Sequence, residues 1–310
     1  MIVSVSRRTD IPAFYAQWFI NRIRSGYCTV PNPFNASQVR RVSLLPQDID
    51  VIVFWTRNPR PLFPYLDELD RRGYCYYFLY TLLGNPSLFD PHSPDQKAAI
   101  RTFQELSSRI GSQRVIWRYD PIVLSQITPP DYHRRTYEKI AQTLHGYTHR
   151  SVISLLDVYA KIRKRMDDAG RRGAQLLPFD GSETWFASLM DDLAGLASTH
   201  GMQIYSCAQE LDLSAHGIKP GKCIDDEYIR VVFGLDVSHS KDPGQRKACG
   251  CVLSRDIGMY DACLFGCRYC YATSSFERAR RNYAQHDPRS PSLLGWYESE
   301  SEMEPQLRLL

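Results

Sequence analysis

The run Val51-Ile52-Val53-Phe54-Trp55 is apolar throughout and rich in β-branched and aromatic side chains. Such a run is typical of a strand of a parallel sheet that is buried on both faces. Residues 62–72 follow it with a helical pattern, which Gly73 ends. A buried strand followed by an amphipathic helix is one βα unit, so this stretch indicates the α/β class.

The same alternation of apolar runs and amphipathic segments extends in both directions from this unit. The predicted strands are residues 2–6, 51–55, 75–80, 115–118, 152–156 and 202–205. Crossovers between parallel strands are right-handed and wind a sheet one way. About six βα units therefore predict a partial or complete (β/α) barrel of the TIM type, with a cysteine-rich iron–sulfur segment after it. A doubly wound open sheet is the alternative, although no glycine-rich phosphate loop follows the first strand.

The pattern divides the chain into three parts. Residues 1–207 form the predicted barrel, residues 208–272 a cysteine-rich cap with the cluster-binding segment, and residues 273–310 a polar tail. The acidic run 298–304 is predicted to be disordered.

Composition restricts the class of protein. The chain has 310 residues, 43% of them apolar, and a formal net charge of +4, which does not indicate a dedicated nucleic-acid binder. The nine cysteines are an odd number and several of them are crowded, so they fit a secreted disulfide framework poorly. Residues 1–5 show no signal peptide, and no apolar stretch reaches membrane-spanning length. We expect a soluble cytoplasmic protein without a membrane partner.

The stretch Cys263-Leu264-Phe265-Gly266-Cys267-Arg268-Tyr269-Cys270 has the spacing C-x-x-x-C-x-x-C. Three thiolates at this spacing can bind three irons of a 4Fe-4S cluster and leave the fourth iron without a protein ligand. An open iron can bind S-adenosylmethionine and pass an electron to it. The alternative is a structural zinc site that uses one more cysteine.

A second group of cysteines precedes this stretch and consists of Cys207, Cys223, Cys249 and Cys251. Four thiolates could hold a second cluster or a structural metal. The alternative is that they are buried free thiols, which pack as small apolar groups, as we expect for Cys28 and Cys75.

Polar residues follow the predicted strands, at the barrel end where reacting groups lie in enzymes of this class. Arg7 and Asp10 follow the first strand, and Arg118 and Asp120 lie at the end of the fourth. Arginine can bind a carboxylate or phosphate, and aspartate can orient it or accept a proton. We predict these four as catalytic residues acting on a substrate with an anionic group. The alternative is an internal network that ties the strand ends together.

The segment from Cys263 to Cys270, followed by Tyr271-Ala272, resembles the cluster motif of radical S-adenosylmethionine enzymes, which normally carry it after their first strand. Its position near the end of the chain is similar to that in the uncharacterised family "domain of unknown function 1848". The other stretches that carry this resemblance are Ser6-Arg7-Arg8-Thr9-Asp10-Ile11-Pro12, Phe54-Trp55-Thr56-Arg57-Asn58-Pro59, Arg118-Tyr119-Asp120-Pro121 and Cys249-Gly250-Cys251. The resemblance implies a 4Fe-4S cluster on Cys263, Cys267 and Cys270, and an aromatic contact from Tyr269 to the adenine of S-adenosylmethionine.

The leading hypothesis is therefore an enzyme that cleaves S-adenosylmethionine reductively and performs radical chemistry on an unidentified substrate. Its partner would be an electron donor such as a flavodoxin or ferredoxin. Two alternatives remain: a barrel enzyme with a structural zinc or cluster staple, and a non-catalytic iron–sulfur redox protein.

Overall fold

The computed structural model describes residues 1–298 of the chain. Its strands are β1 (Ile2–Val5), β2 (Tyr27–Asn32), β3 (Asn35–Ser43), β4 (Val51–Thr56), β5 (Tyr76–Thr81), β6 (Val115–Ile122), β7 (Arg150–Leu155), β8 (Gln203–Cys207), β9 (Lys219–Gly221) and β10 (Arg255–Asp256). Its helices are α1 (Ile11–Phe14), α2 (Ala16–Ser25), α3 (Leu66–Arg71), α4 (Gln96–Ile110), α5 (Pro130–Leu144), α6 (Ala160–Ala169), α7 (Thr184–Thr199), α8 (Asp226–Phe233) and α9 (Phe276–Ala284).

Eight of these strands form one parallel sheet in the order β10-β1-β4-β5-β6-β7-β8-β9. The α/β class is thereby confirmed, and each of the six predicted strands is present. The boundaries differ most at β6, which continues to Ile122, beyond the predicted end at residue 118. Within residues 1–298, β9 and β10 are the two edges and do not pair with each other, so a closed TIM barrel is not confirmed.

The two faces of the sheet have different coverings. One face packs against the helices through large rings, such as Phe54, which stacks on Phe78 at 4.6 Å and meets Phe19 edge to face. The other face carries Val53 and Tyr77 and is covered by residues from the segment 223–252. Burial on both faces explains why the central strands are continuous apolar runs rather than alternating ones.

Local signals in the sequence set the limits of the helices. The Asp95 side chain accepts a hydrogen bond from the Ala98 N–H at 3.1 Å and begins α4. Asp225 begins α8 in the same way, through the N–H groups of Glu227 and Tyr228. Gly26 ends α2 with φ of +77°, a conformation that glycine adopts without a steric penalty.

The regions after residue 207 also contribute to the sheet and its packing. β9 and β10, both within the segment predicted as a cap, form the two edge strands. In the predicted tail, the ring of Tyr283 on α9 packs 5.6 Å from that of Tyr15, and Trp18 Nε1 donates to the Ser290 carbonyl at 3.0 Å. The acidic run 298–304 lies outside the described residues except for residue 298. None of the helices within residues 1–298 combines the length and apolar character that crossing a bilayer requires.

Candidate functional site

The loop with the three predicted cluster ligands lies at the carboxyl ends of β1 and β4. The backbone N–H groups of Asp10, after β1, and of Phe265 lie close enough to the Cys263 sulfur to favour its thiolate form. Gly266 allows the turn between the first two cysteines, with φ of +68°, and a Cβ there would lie 3.2 Å from the His92 ring. The predicted catalytic residue Asp10 and the predicted ligand Cys263 are therefore direct neighbours.

The three thiols are close enough to influence one another's ionisation. Burial raises the pKa of Cys263 to about 12, and the charge of Cys270 acts in the same direction. Burial also raises the pKa of Cys267 well above its usual value, although the Arg57 guanidinium opposes this. Without a bound cation the thiolate forms of Cys263 and Cys267 are thus disfavoured, and binding a metal centre would have to stabilise them.

A buried ionic network anchors the centre of this loop. The Tyr269 hydroxyl donates to the Asp90 carboxylate, at 2.6 and 2.7 Å from its two oxygens, and accepts from Arg57 Nη2 at 2.5 Å. Arg57 also pairs with Asp90 at 3.4 Å and donates to Ser93 Oγ at 2.8 Å. Burial would lower the pKa of Arg57, but Asp90 and Cys267 outweigh it and hold the pKa well above the usual value.

Tyr269, predicted from the resemblance to contact adenine, is 8% exposed and packs with Phe89, Val123 and the cysteines of the loop. Its hydroxyl is fully engaged by the network. In this environment the side chain fixes the loop on the sheet.

The helix α6 supports the loop from the other side. Arg165 Nη2 donates to the Cys270 carbonyl at 2.6 Å, while its Nε and Nη1 atoms are buried without a hydrogen-bond partner. Arg268, within the loop, pairs with Asp168 of the same helix at 2.8 Å. The unpartnered nitrogens of Arg165 are donors available to an anionic group beside the loop.

The four predicted catalytic residues do not form one constellation. Asp10 accepts hydrogen bonds from the N–H groups of Ala13 and Arg57, at 3.0 and 2.6 Å, and lies beside the three-cysteine loop. Burial raises its pKa to about 7, against those hydrogen bonds. Arg118 and Asp120 pair with each other, and Ser154 Oγ donates to Asp120.

Arg7 belongs neither to the three-cysteine loop nor to the Arg118–Asp120 pair. Its guanidinium pairs with Asp242 at 3.4 Å, donates to Ser254 at 3.3 Å and lies over the Trp55 ring. The chain turns after β1 so that Arg7 faces the segment before β10. Arg118 and Asp120 both lie in β6, and the hydrogen bond from Ser154 of β7 to Asp120 connects the ends of these two strands.

Arg7 and Arg118 instead face the second cysteine group. The Sγ atoms of Cys207 and Cys223 lie 3.2 Å apart, and the side chains of Cys223 and Cys249 are both within hydrogen-bonding reach of Cys251. The hydrogen bond from Cys223 lowers the pKa of Cys207 to about 7, with Arg118 acting in the same direction. Cys251 also has a lowered pKa, because Cys223 and Cys249 hydrogen-bond its sulfur and Arg7 lies near.

Tyr271, directly after the three-cysteine loop, lies between the two cysteine groups. Its hydroxyl donates to the Arg7 carbonyl at 2.8 Å, and its ring meets that of Tyr159 edge to face at 6.3 Å. It is 47% exposed. The two cysteine groups are thus separate, and the hydrogen bond from Tyr271 to the Arg7 carbonyl connects them.

Two clefts border these groups. A cleft of about 630 Å³ opens beside Arg57 and Asp90 and extends to Arg135 and Lys139 on α5. A second cleft, of about 530 Å³, lies between the β2–β3 hairpin and the ends of β1 and β10; it is lined by basic residues Arg7, Arg8, Arg40 and Arg255 together with Asp242 and Asp256.

Within residues 1–298, no group of three or more His, Cys, Asp or Glu side chains already has an arrangement that could hold a metal ion. A 4Fe-4S cluster makes a different demand, because each cysteine binds its own iron and the sulfurs lie farther apart than around one ion.

Sequence reasoning missed Asp90 and Arg165 as parts of the site, and also Asn85, whose Nδ2 donates to the Asp90 carboxylate at 3.1 Å. Asp90 and Asn85 come from the loop after β5, and their only signal was the position of that loop at the carboxyl end of a strand. Arg165 lies in the very basic helix α6, which also buries Ile162 and Met166.

The model of the family described as "Domain of unknown function (DUF1848)" matches residues 2–272, a range that includes both cysteine groups and the four predicted catalytic residues. No curated protein matches the chain.

Proposed function

The chain belongs to the DUF1848 family, and from that premise we propose that it is an iron–sulfur enzyme of the radical S-adenosylmethionine type. The observation that carries the proposal is the grouping of Cys263, Cys267 and Cys270 on one loop, against the carboxyl ends of β1 and β4. A 4Fe-4S cluster bound there would supply an open iron for S-adenosylmethionine and an electron for its reductive cleavage.

The charges of the residues around the loop suit a 4Fe-4S cluster bound by three thiolates. Arg57 and Arg165 lie near the thiols, and two nitrogens of Arg165 are buried without partners. The Arg165 guanidinium beside the three thiolates offsets part of the charge that burial would otherwise disfavour, and Arg57 adds to this although it is also paired with Asp90. This charge balance supports a cluster held by three thiolates.

The chain's own residues would position the loop and exclude water from it. Asp10 joins the ends of β1 and β4 by accepting from the Arg57 N–H, and its backbone N–H contacts Cys263. Phe265 packs 4.7 Å from Phe14, which closes the apolar side of the loop. A rigid, dry loop is what a reactive centre at a strand edge requires.

We further propose that the six strands β1, β4, β5, β6, β7 and β8 form a partial (β/α) barrel, since they follow chain order without a reversal. The substrate would lie at its mouth, near Arg7, Arg118 and Tyr271. The basic cleft beside Arg7 supports an anionic substrate, because guanidinium groups bind carboxylates and phosphates in a fixed geometry.

The experiment is anaerobic purification with quantification of iron and sulfide, followed by electron paramagnetic resonance with and without S-adenosylmethionine. We expect near-equal iron and sulfide, a signal that S-adenosylmethionine alters, and release of 5′-deoxyadenosine when a chemical reductant is added. Reduced flavodoxin or ferredoxin should replace that reductant.

Cys267→Ala should abolish both the cluster signal and cleavage, whereas the matched variant Cys28→Ala, a buried thiol in β2, should retain both. Cleavage by Cys267→Ala would contradict the proposal. A cluster that never cleaves S-adenosylmethionine would instead favour the non-catalytic redox protein.

A further inference from the structure

The second cysteine group joins parts of the chain that are distant in sequence. Cys207 is the last residue of β8, Cys223 follows β9, and Cys249 and Cys251 lie shortly before β10. All four are free thiols, on the sheet face opposite most of the helices. Three separate segments thus bring four sulfurs to one place. Free thiols that only pack as small apolar groups would not need to gather in this way.

The group lies where the two edges of the sheet approach each other. The Ile224 N–H, after edge strand β9, hydrogen-bonds the Cys251 sulfur at 3.4 Å. The Val252 N–H, before edge strand β10, donates to the Ile224 carbonyl at 3.2 Å. Tyr77 of the central strand β5 donates to the Cys223 carbonyl at 2.7 Å. The cysteines therefore lie between the edge strands β9 and β10, which would pair with each other if the sheet were closed.

Cations lie beside these thiols. Arg7 and Arg118 both interact electrostatically with Cys223 and Cys251. Arg7 Nη2 and Arg118 Nε are buried without a hydrogen-bond partner. Four thiolates around a divalent ion carry a net charge of −2, which the two guanidinium groups offset only in part, because each is also paired with an aspartate. The two unpartnered N–H groups are donors suited to thiolate sulfur.

We propose that Cys207, Cys223, Cys249 and Cys251 form a tetrahedral site for one soft divalent ion of the Zn²⁺ class, separate from the three-cysteine loop. The sulfurs of such a site are ~3.8 Å apart, from a metal–sulfur bond of ~2.3 Å. The Cys207–Cys223 separation of 3.2 Å is slightly shorter, so binding requires these thiols to spread by a fraction of an ångström. The sulfurs across a 4Fe-4S cluster are much farther apart, because each binds a different iron.

Four thiolates leave the ion no open position, so the site is structural rather than catalytic. It links β8, the segment after β9 and the segment before β10, and thereby holds the two sheet edges together. It also fixes Arg7 and Arg118 beside the mouth of the sheet.

The test uses the full-length protein, loaded with Zn²⁺ alone and then dialysed. We expect about one zinc per chain in the parent protein and at least a tenfold loss in Cys251→Ser, since one missing thiolate greatly weakens a structural site. Cys75→Ser, a half-buried thiol elsewhere in the chain, is the matched control and should keep its zinc.

A combined Cys263→Ala, Cys267→Ala and Cys270→Ala variant should also keep its zinc, which makes this inference independent of the proposed function. X-ray absorption at the zinc edge of the unsubstituted protein does not depend on the folding of any variant. It should show four sulfur neighbours at ~2.3 Å. Absence of bound zinc, a zinc shell containing nitrogen or oxygen, or iron with an iron–iron shell that disappears in Cys251→Ser would each overturn the proposal.

Discussion

Removal of one hydroxyl, in Tyr269→Phe, tests whether the buried network holds the three-cysteine loop. The substitution keeps the ring and its packing against Phe89, so it removes only the polar contacts. Those contacts are a donated bond to the Asp90 carboxylate and an accepted bond from Arg57 at 2.5 Å. After the change, both charged groups remain buried and each lacks one partner.

The magnitude follows from the charge and burial of these partners. The side chains of Arg57 and Asp90 are 12% and 2% exposed, so water cannot replace the lost hydroxyl. A hydrogen bond to a charged group contributes ~1.5–3 kcal/mol, and because the two bonds share one network we expect a combined loss of about 3 kcal/mol. For a domain of this size, that loss lowers the melting temperature by about 5 °C.

The assay is thermal unfolding under anaerobic conditions, with iron content measured on the same samples. The matched control is Tyr65→Phe, whose hydroxyl donates to Gln17 in a solvent-exposed contact. The control should change the free energy of unfolding by about 0.5 kcal/mol or less. If Tyr269→Phe unfolded at the same temperature as Tyr65→Phe and retained the same iron, the network would not be what anchors the loop.

Other predictions follow from the fold. Burial lowers the pKa of His133 to about 4, below its value of 6.5 in the unfolded chain, so only the unfolded state gains a proton between these values. The free energy of unfolding should therefore fall by on the order of 1.4 kcal/mol per pH unit as the pH drops from 6.5 to 4. His133→Gln should flatten this slope in acid-unfolding curves. Gly258→Ala places a Cβ 1.9 Å from Ser6 Oγ and should destabilise the protein by about 1–3 kcal/mol in urea unfolding. Truncation after residue 272 removes the three backbone carbonyls of the segment 288–290 that accept hydrogen bonds from side chains of α2. The melting temperature of the truncated chain should therefore be several degrees lower than that of the full-length protein.

The sheet was predictable because its strands carry their signal locally. The run 51–55 is buried on both faces, and a strand in that environment is apolar at every position. The edge strands β9 and β10 were missed for the opposite reason. They are three and two residues long, and β9 is Lys-Pro-Gly, so neither has a hydrophobic pattern that could indicate a strand.

The site was predictable only in part, because its partners depend on tertiary structure. The spacing of the cysteines in 263–270 marks a loop with metal-binding capacity, but no local pattern joins it to Asp90, which is 179 residues from Tyr269 in sequence. Likewise, Arg7 and Asp10 are neighbours in sequence, yet their side chains point to different cysteine groups. Polar residues at strand ends can be found from the sequence. Which of them pair depends on the backbone conformation of the turn that follows each strand.

The topology gives a physical reason why a cluster loop can lie so late in this chain. Radical S-adenosylmethionine enzymes, which the motif resembles, carry their cysteines directly after the first strand. Here the three cysteines follow β10, which pairs with β1 in parallel through Val3 with Arg255 and Ser4 with Asp256. Parallel neighbours end at the same edge of a sheet, so the loop after β10 emerges beside the loop after β1. The proximity of the Asp10 N–H to the Cys263 sulfur is the direct result of that adjacency. The late motif therefore occupies almost the same place relative to the sheet as an early one would. The pairing of β10 with β1, more than the order of the sequence, is what the proposed chemistry requires.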